Sequence, residues 1–194
     1  GKTIVASTAA NLLDRPAPDA AIAWPRELGR RFTLWIDTEE EFDWSAPFDR
    51  EATLVSVTAG MARFQSYIAQ AGVKPVYVTD YAVIADHAAS DMMREWVEAG
   101  TADVGLHLHP WVNPPHEETV SAYNSYAGNL PPALERAKLL TLRDLIEDRI
   151  GVRPVSYRAG RYGIGPHTAA LLEEAGFRID SSIRSRFDYR AQHG

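Results

Sequence analysis

The chain has 194 residues, of which 45% are hydrophobic, 24% charged and 10% aromatic, as is usual for a globular domain. A net charge of -6 without a basic stripe argues against a nucleic-acid partner, and no apolar segment approaches the ~20 residues that span a membrane. There is no cysteine, so disulfides and thiolate metal sites are excluded and any metal must be held by His, Asp or Glu.

The first 30 residues differ in composition from the rest of the chain. The segment ASTAANLLDRPAPDAAIAWPRELG is rich in alanine and proline and shows neither helical nor strand periodicity. We interpret residues 1–30 as a leader in front of one domain, residues 31–194. The N-terminal GKTIVASTAANLL lacks the apolar core of a signal peptide, so a cytoplasmic location is expected.

From residue 32 onward, strand-like and helix-like segments alternate. The predicted strands are Phe32–Asp37, Pro75–Thr79, Ala102–His109, Val155–Ala159 and Arg178–Ile183. The predicted helices are Thr53–Ala71, Ser90–Ala99, Pro132–Ile150 and Pro166–Ala175. A glycine follows each helix, as is typical of helix ends in the left-handed conformation. This alternation predicts an α/β fold with a parallel sheet, either a barrel or a doubly wound sheet.

Three predicted strands end in polar sequences: DTEEEFDW, HLHPW and RAGRYG. In parallel α/β folds the chemistry gathers where strands end and the following loops begin. We therefore expect these three sequences to line the mouth of one site.

The acidic sequence offers carboxylates for a metal or for proton transfer. Strand alternation puts Asp37 and Glu39 on the same side, and an acid that ends a buried strand needs a partner. Asp37 and Glu39 are therefore predicted to act as metal ligands, or as ligand and general base. Glu40 and Glu41 are interpreted as a solvated charge run.

Three of the six histidines fall in DVGLHLHPWVNPPH. His107 and His109 share strand parity, so both rings can meet one cation. Imidazoles with a carboxylate suit zinc, nickel, cobalt or iron at an open site with three protein ligands. A hydrogen-bonded structural histidine is the alternative for either residue, and His116 is interpreted as a surface residue.

The sequence SYRAGRYG spans the end of the fourth predicted strand and the loop after it. Arg158 would reach across the mouth and keep Asp37 ionised and oriented, either within the site or as a structural salt bridge. Gly160 and Gly163 let the backbone approach a ligand closely. The backbone N–H groups around Arg161 and Tyr162 would line an oxyanion hole.

Two tryptophans end the first and second of the three polar sequences. Trp44 and Trp111 offer aromatic faces on which a sugar ring can stack, with core packing as the alternative. Together with Arg161 they are the predicted substrate contacts.

The three sequences, in this order, resemble a known family. WIDTEEEFDW, DVGLHLHPW and YRAGRYG are similar to the first three motifs of the polysaccharide deacetylase superfamily, which includes chitin and peptidoglycan N-deacetylases. The likeness is greatest to its exopolysaccharide and lipopolysaccharide biosynthesis-associated subgroup, and it covers about residues 31–185. It implies a distorted (β/α)7-type barrel, incomplete here with about five parallel strands. It also implies a divalent metal, with zinc as the first expectation, and hydrolysis of an N-acetyl amide on a sugar.

The resemblance also implies roles for residues at matching positions. Asp37 matches the catalytic base, and Arg158 matches the arginine that holds this base. Tyr162 falls near the aromatic residue that helps to form the oxyanion site. His107 matches the first metal-binding histidine.

Two positions depart from the family pattern. Thr38 stands where the family has a metal-binding aspartate, and Glu39 is the nearest substitute. Trp111 stands where the second metal-binding histidine is expected, so that His109 or His116 would replace it. The later motifs, which include a general-acid histidine, have no counterpart, and part of the domain is expected to be missing from this sequence.

The preferred function is a metal-dependent hydrolase that removes N-acetyl groups from a sugar or polysaccharide, with its metal on Glu39, His107 and His109. One alternative is a metal-independent hydrolase of small amides from the same superfamily. Another is a non-catalytic carbohydrate-binding or regulatory protein. The expected partner is an N-acetylated carbohydrate, and the sequence does not indicate an oligomeric state.

Overall fold

The computed structural model of the chain describes residues 18–20, 23–184 and 187–193. Most of the predicted leader, residues 1–30, lies outside these ranges. Its described part contains two single turns of 3₁₀ helix, Pro18–Ala20 and Arg26–Leu28, and neither buries a residue.

Within these ranges, five parallel strands form one sheet in the order β1-β2-β3-β4-β5. They are β1 Trp35–Thr38, β2 Val76–Thr79, β3 Asp103–Leu108, β4 Ser156–Ala159 and β5 Ile179–Asp180. Every predicted strand is present, and the parallel α/β prediction is confirmed. The strands are shorter than predicted because each is paired only where a neighbour is in register, over two residues between β4 and β5.

The strand order follows the chain order without reversal. A doubly wound sheet reverses at a switch point, whereas a β/α barrel adds each new strand beside the last one. Among the described residues the sheet is open, with β1 and β5 at its edges. The topology is therefore consistent with part of a (β/α)7 barrel.

In the described residues five α-helices accompany the strands, one more than predicted. They are α1 Thr58–Gln70, α2 Tyr81–Ala85, α3 His87–Glu98, α4 Pro132–Ile150 and α5 Thr168–Glu174. Helix α4 has the predicted bounds, because Pro132 occupies its first turn and Gly151 ends it at φ 84°. The short α2 was not predicted. The side chains of Asp80 and Asp86 accept hydrogen bonds at the starts of α2 and α3.

The core lies between the sheet and the helices, and α3 and α4 pack against β3. Leu142 and Ile146 of α4 are one turn apart and fully buried, together with Met93 of α3, Leu106 of β3 and Tyr157 of β4. Burial of this apolar surface fixes the carboxyl ends of the strands at one edge of the sheet. In the described part of the chain, no helix combines the length and the apolar character required to cross a membrane.

Candidate active site

The polar ends of β1, β3 and β4 lie together at the carboxyl edge of the sheet. In the register of the sheet, His107 of β3 stands opposite Arg158 of β4. A cavity of about 260 Å³ lies at this edge. Its lining includes six of the site residues predicted from the sequence: Asp37, Glu39, Trp44, His107, Arg161 and Tyr162.

Asp37 and Arg158 form an ion pair across the sheet. The Nη1 atom of Arg158 donates to Oδ1 of Asp37, and its Nε donates to the Ser181 hydroxyl at 3.0 Å. The guanidinium also lies over the ring of Trp35, 5.6 Å from its centroid. Arg158 is thus held at several points, and it orients a carboxylate that remains partly exposed to the cavity.

Glu39, His107 and His109 bring three possible metal ligands together. The Oε2 atom of Glu39 lies 3.2 Å from Nε2 of His107 and 3.2 Å from Nε2 of His109. Tetrahedral ligands about 2.1 Å from a zinc ion lie roughly 3.4 Å apart, so the two distances from Glu39 are close to those between such ligands.

The geometry at one buried nitrogen also points to a cation. Among the described residues, no group is aligned to form a hydrogen bond with Nε2 of His109, although this atom is buried. In both histidines Nδ1 is engaged elsewhere, at 3.0 Å from the carbonyl oxygen of Arg158 for His107 and 2.8 Å from Glu40 for His109. Both Nε2 atoms are therefore turned toward Glu39, and the donor set of two imidazoles and a carboxylate fits zinc or a similar ion.

The charges around the two histidines differ. Burial lowers the pKa of His107, with the hydrogen bond to Glu39 opposing it. Burial also disfavours the charged form of His109, but contacts with Glu39 and Glu40 outweigh it and raise the pKa of His109 to about 10. Burial likewise acts to raise the pKa of Glu39, and its contacts with the two histidines outweigh burial and lower it. The surroundings of His109 therefore favour a positive charge.

The interpretation of Glu40 as a solvated residue was wrong. Glu40 is only 3% exposed, and its carboxylate accepts hydrogen bonds from Nδ1 of His109 at 2.8 Å and Nε1 of Trp111 at 2.9 Å. Glu39 lines the cavity, whereas the Glu40 carboxylate contacts two residues that follow β3, His109 and Trp111. Glu41 is exposed, as expected for a surface carboxylate.

Asp80 is a second buried acid, next to Glu40. It follows β2 directly, so the strand-end rule that selected Asp37 would also have selected it. Its Oδ2 atom accepts from the backbone N–H of Glu40 at 3.2 Å, and its Oδ1 accepts from that of Val83 at 2.9 Å. Burial, together with the neighbouring Glu40 carboxylate, raises the pKa of Asp80. These surroundings favour the neutral form of Asp80 beside the Glu40 carboxylate.

Comparison with known proteins gives matches at the level of structure. No family model matches the sequence, and no curated protein matches it. A candidate polysaccharide deacetylase from Mycobacterium smegmatis is 21% identical with a TM-score of 0.52, and the match covers 86% of this chain and 56% of that one. IcaB from Ammonifex degensii is 14% identical with a TM-score of 0.51, over 76% of this chain and 57% of IcaB.

This chain has the polysaccharide deacetylase fold. It spans a little over half the length of the two solved structures, 56% and 57%. The deacetylase fold was the architecture implied by the three sequence motifs, and the comparison confirms it.

Within the deacetylase fold, the two predicted sugar-stacking tryptophans have different surroundings. Trp44 is 55% exposed and lines the cavity. Trp111 is only 1% exposed, stacks on the His109 ring at 4.3 Å and donates to Glu40. The prediction that Trp111 contacts substrate was wrong, because the chain beyond β3 carries its ring into the core. His116 is exposed, as predicted.

Arg161 and Tyr162 follow β4 in an unusual backbone conformation. Their φ angles are 56° and 58°, which is uncommon for residues other than glycine and costs of order 1 kcal/mol or more each. The Arg161 guanidinium lies 4.1 Å from the centroid of the Tyr126 ring and donates to the Ser125 hydroxyl at 2.6 Å. These contacts hold the Arg161 side chain in the wall of the cavity.

Several residues near the cavity were not predicted. Ser181 follows β5 and contacts Arg158, and four further residues line the cavity: Tyr126, Arg184, Tyr189 and Gln192. They come from loops and from the end of the described chain. No strand or helix periodicity marks such positions in a sequence.

Proposed function

We propose that this protein is a metal-dependent hydrolase that removes N-acetyl groups from a sugar or polysaccharide. One observation carries the proposal: a carboxylate–arginine pair and a cluster of one carboxylate and two imidazoles meet at a single cavity. Glu39, His107 and His109 would hold the metal. When bound, a divalent cation at this position supplies a Lewis acid that polarises the acetyl carbonyl and lowers the pKa of water.

Asp37 is proposed as the general base. Its carboxylate lines the cavity next to Glu39 and His107, where it can take a proton from the attacking water. Arg158, fixed by the Ser181 hydroxyl, orients this carboxylate. The reaction then needs donors for the negative charge that develops on the acetyl oxygen, and the backbone N–H groups around Tyr162 are proposed for that role.

Trp44 and Arg161 are proposed as substrate contacts. The exposed Trp44 ring offers an apolar face in a cavity that also holds carboxylates and guanidinium groups, which suits the face of a sugar ring. The Arg161 guanidinium offers donors for hydroxyl or acidic groups. An N-acetylated carbohydrate is therefore the proposed substrate class.

A metal-independent hydrolase of small amides is the second candidate. It is favoured by Thr38 and Trp111, which occupy the positions of two metal ligands in the family that the sequence resembles. A non-catalytic carbohydrate-binding protein is the third candidate, and it is favoured by the exposed Trp44 ring at the cavity.

The test is acetate release from N-acetylglucosamine oligomers by the full chain, after chelation and again after zinc is added back. We expect release only with zinc, and none from Asp37→Asn under either condition, with circular dichroism showing that both proteins are folded. Activity in protein shown to be metal-free by elemental analysis would support the second candidate. Folded parent protein that releases no acetate in either condition would contradict the proposed hydrolase.

A further inference from the structure

Glu40 uses both carboxylate oxygens, and neither one faces the cavity. Oε2 accepts the Nδ1 proton of His109 at 2.8 Å, and Oε1 accepts the indole N–H of Trp111 at 2.9 Å. Because a carboxylate only accepts hydrogen bonds, the proton shared with His109 must sit on Nδ1. The geometry around Glu40 thus selects one tautomer of a buried histidine.

Glu40 is itself held in place by the next strand. Its backbone N–H donates to Asp80, which also caps the start of α2 through Val83. Asp80 is completely buried and lies 3.8 Å from Nδ1 of His109. The backbone of Glu40 is therefore anchored to the buried junction of β2 and α2.

The two imidazoles are oriented by partners of different kinds. Nδ1 of His107 lies against the backbone carbonyl oxygen of Arg158, whereas Nδ1 of His109 depends on the Glu40 side chain. The His109 ring is also stacked on Trp111, which Glu40 holds as well. A substitution at position 40 therefore affects only one of the two imidazoles directly.

We propose that Glu40 is a positioning residue that fixes the tautomer and the orientation of His109, and so sets the metal affinity of the site without contacting the metal. This inference rests on the proposed metal site of Glu39, His107 and His109. Removing a carboxylate that orients a metal-binding histidine typically lowers metal affinity about 10- to 100-fold.

The test compares the zinc affinities of the parent chain, Glu40→Gln and Glu41→Gln, measured by competition with a chromogenic chelator. Both variants lose one carboxylate in neighbouring positions, but Glu41 is exposed and Glu40 is buried. Glutamine cannot accept from His109 and Trp111 together, since one of its two terminal atoms is a donor. We expect at least tenfold weaker zinc binding by Glu40→Gln and less than twofold change for Glu41→Gln.

A measurement on the zinc-loaded parent chain covers the case in which Glu40→Gln does not fold. Nitrogen-15 NMR of the imidazoles should show the His109 proton on Nδ1, and a proton on Nε2 overturns the inference. Equal zinc affinity of the parent and a folded Glu40→Gln also overturns it, while leaving the proposed function standing. A parent chain that binds no zinc removes the metal site of the proposed function, and this inference with it.

Discussion

Asp37 and Glu39 line the same cavity two residues apart, yet their side chains have different partners. The Arg158 guanidinium contacts Asp37, whereas two imidazole nitrogens lie 3.2 Å from Glu39. A carboxylate between two imidazoles is placed to share a cation with them, and one held by a guanidinium keeps a fixed orientation. The different roles proposed for these two acids therefore follow from their partners.

The two tryptophans provide a prediction at the scale of single residues. We expect Trp44→Ala to weaken the binding of N-acetylglucosamine oligomers about tenfold, because it removes an aromatic contact worth about 1–1.5 kcal/mol. Its unfolding free energy should change little, because the ring is 55% exposed. Trp111→Ala should instead lower the unfolding free energy by about 3–5 kcal/mol, because it leaves a cavity in the core. Calorimetric titration and urea denaturation measure the two effects.

Trp24→Ala is the control for this pair, since Trp24 is 72% exposed and precedes β1. It should leave both oligomer binding and stability unchanged. Loss of binding in folded Trp111→Ala, with no effect of Trp44→Ala, would contradict the assignment of the exposed ring to the substrate.

At the scale of elements, α4 contacts the loop that follows the candidate metal ligand His109. Lys138 of α4 is fully buried, and its ammonium group donates to the carbonyl oxygens of Pro110 and Asn113, in the loop after β3. It also lies 3.1 Å from a carboxylate oxygen of Glu118. Since this loop begins directly after His109, α4 helps to hold the candidate metal ligand in place.

Helix α4 is also joined to α5 by a buried acid. Glu135 accepts a hydrogen bond from the Thr168 hydroxyl at 2.6 Å, and this hydroxyl accepts from the backbone N–H of Gly165 at 2.8 Å. At Gly165 a Cβ atom would lie 2.4 Å from the carbonyl oxygen of Gly128, so only glycine fits this close approach. These contacts hold the loop that carries Arg161 and Tyr162.

The buried acid predicts a pH dependence of stability. Burial raises the pKa of Glu135 from 4.5 to about 7, although the Thr168 hydrogen bond opposes the shift. The folded state therefore binds this proton more tightly than the unfolded state. The resulting stability is fully present below pH ~4.5 and is lost as the pH rises through about 7.

Glu135→Gln, which cannot titrate, should remove this part of the pH dependence. Relative to the variant, the parent should lose up to roughly 3 kcal/mol of unfolding free energy between pH 5 and pH 8. Urea denaturation at both pH values measures the difference, with the exposed Glu174→Gln as control. Parallel pH profiles for the parent and Glu135→Gln would show that Glu135 ionises normally in the folded chain.

At the scale of the whole molecule, the proposed metal ligands connect distant parts of the chain. Glu39 follows β1, and the two histidines come from β3 and the residue after it, with β2 between the two strands. A cation held by all three binds the folded state alone. Its binding should therefore appear as global stability and not only as local order.

Zinc at about 100 times its dissociation constant should stabilise the fold by about 2.7 kcal/mol, or roughly 5–10 °C in melting temperature. Magnesium, which prefers oxygen ligands, should have little effect. Differential scanning fluorimetry of the parent and of His107→Ala checks both expectations. An equal zinc shift in the two proteins would place the cation elsewhere.

The sequence by itself determined the features that depend on local order along the chain. Pro132 and Gly151 predicted where α4 begins and ends. The period-two alternation of a strand predicted that Asp37 and Glu39 lie on the same side of the chain. Alternating strands and helices with short connections predicted the parallel sheet, and polar strand ends predicted where the candidate site lies. Such signals need only a few neighbouring residues, because capping and periodicity are local properties of the backbone.

Only the tertiary structure decided which polar and aromatic side chains are buried. Glu40 has the sequence context of a surface acid, and Trp111 that of a residue at a cavity mouth, until the segments after β1 and β3 come together. Helix α2, of five residues, is too short to show a helical period. Burial depends on contacts between segments about 70 residues apart, and these exist only once the sheet has formed, so no local pattern encodes them.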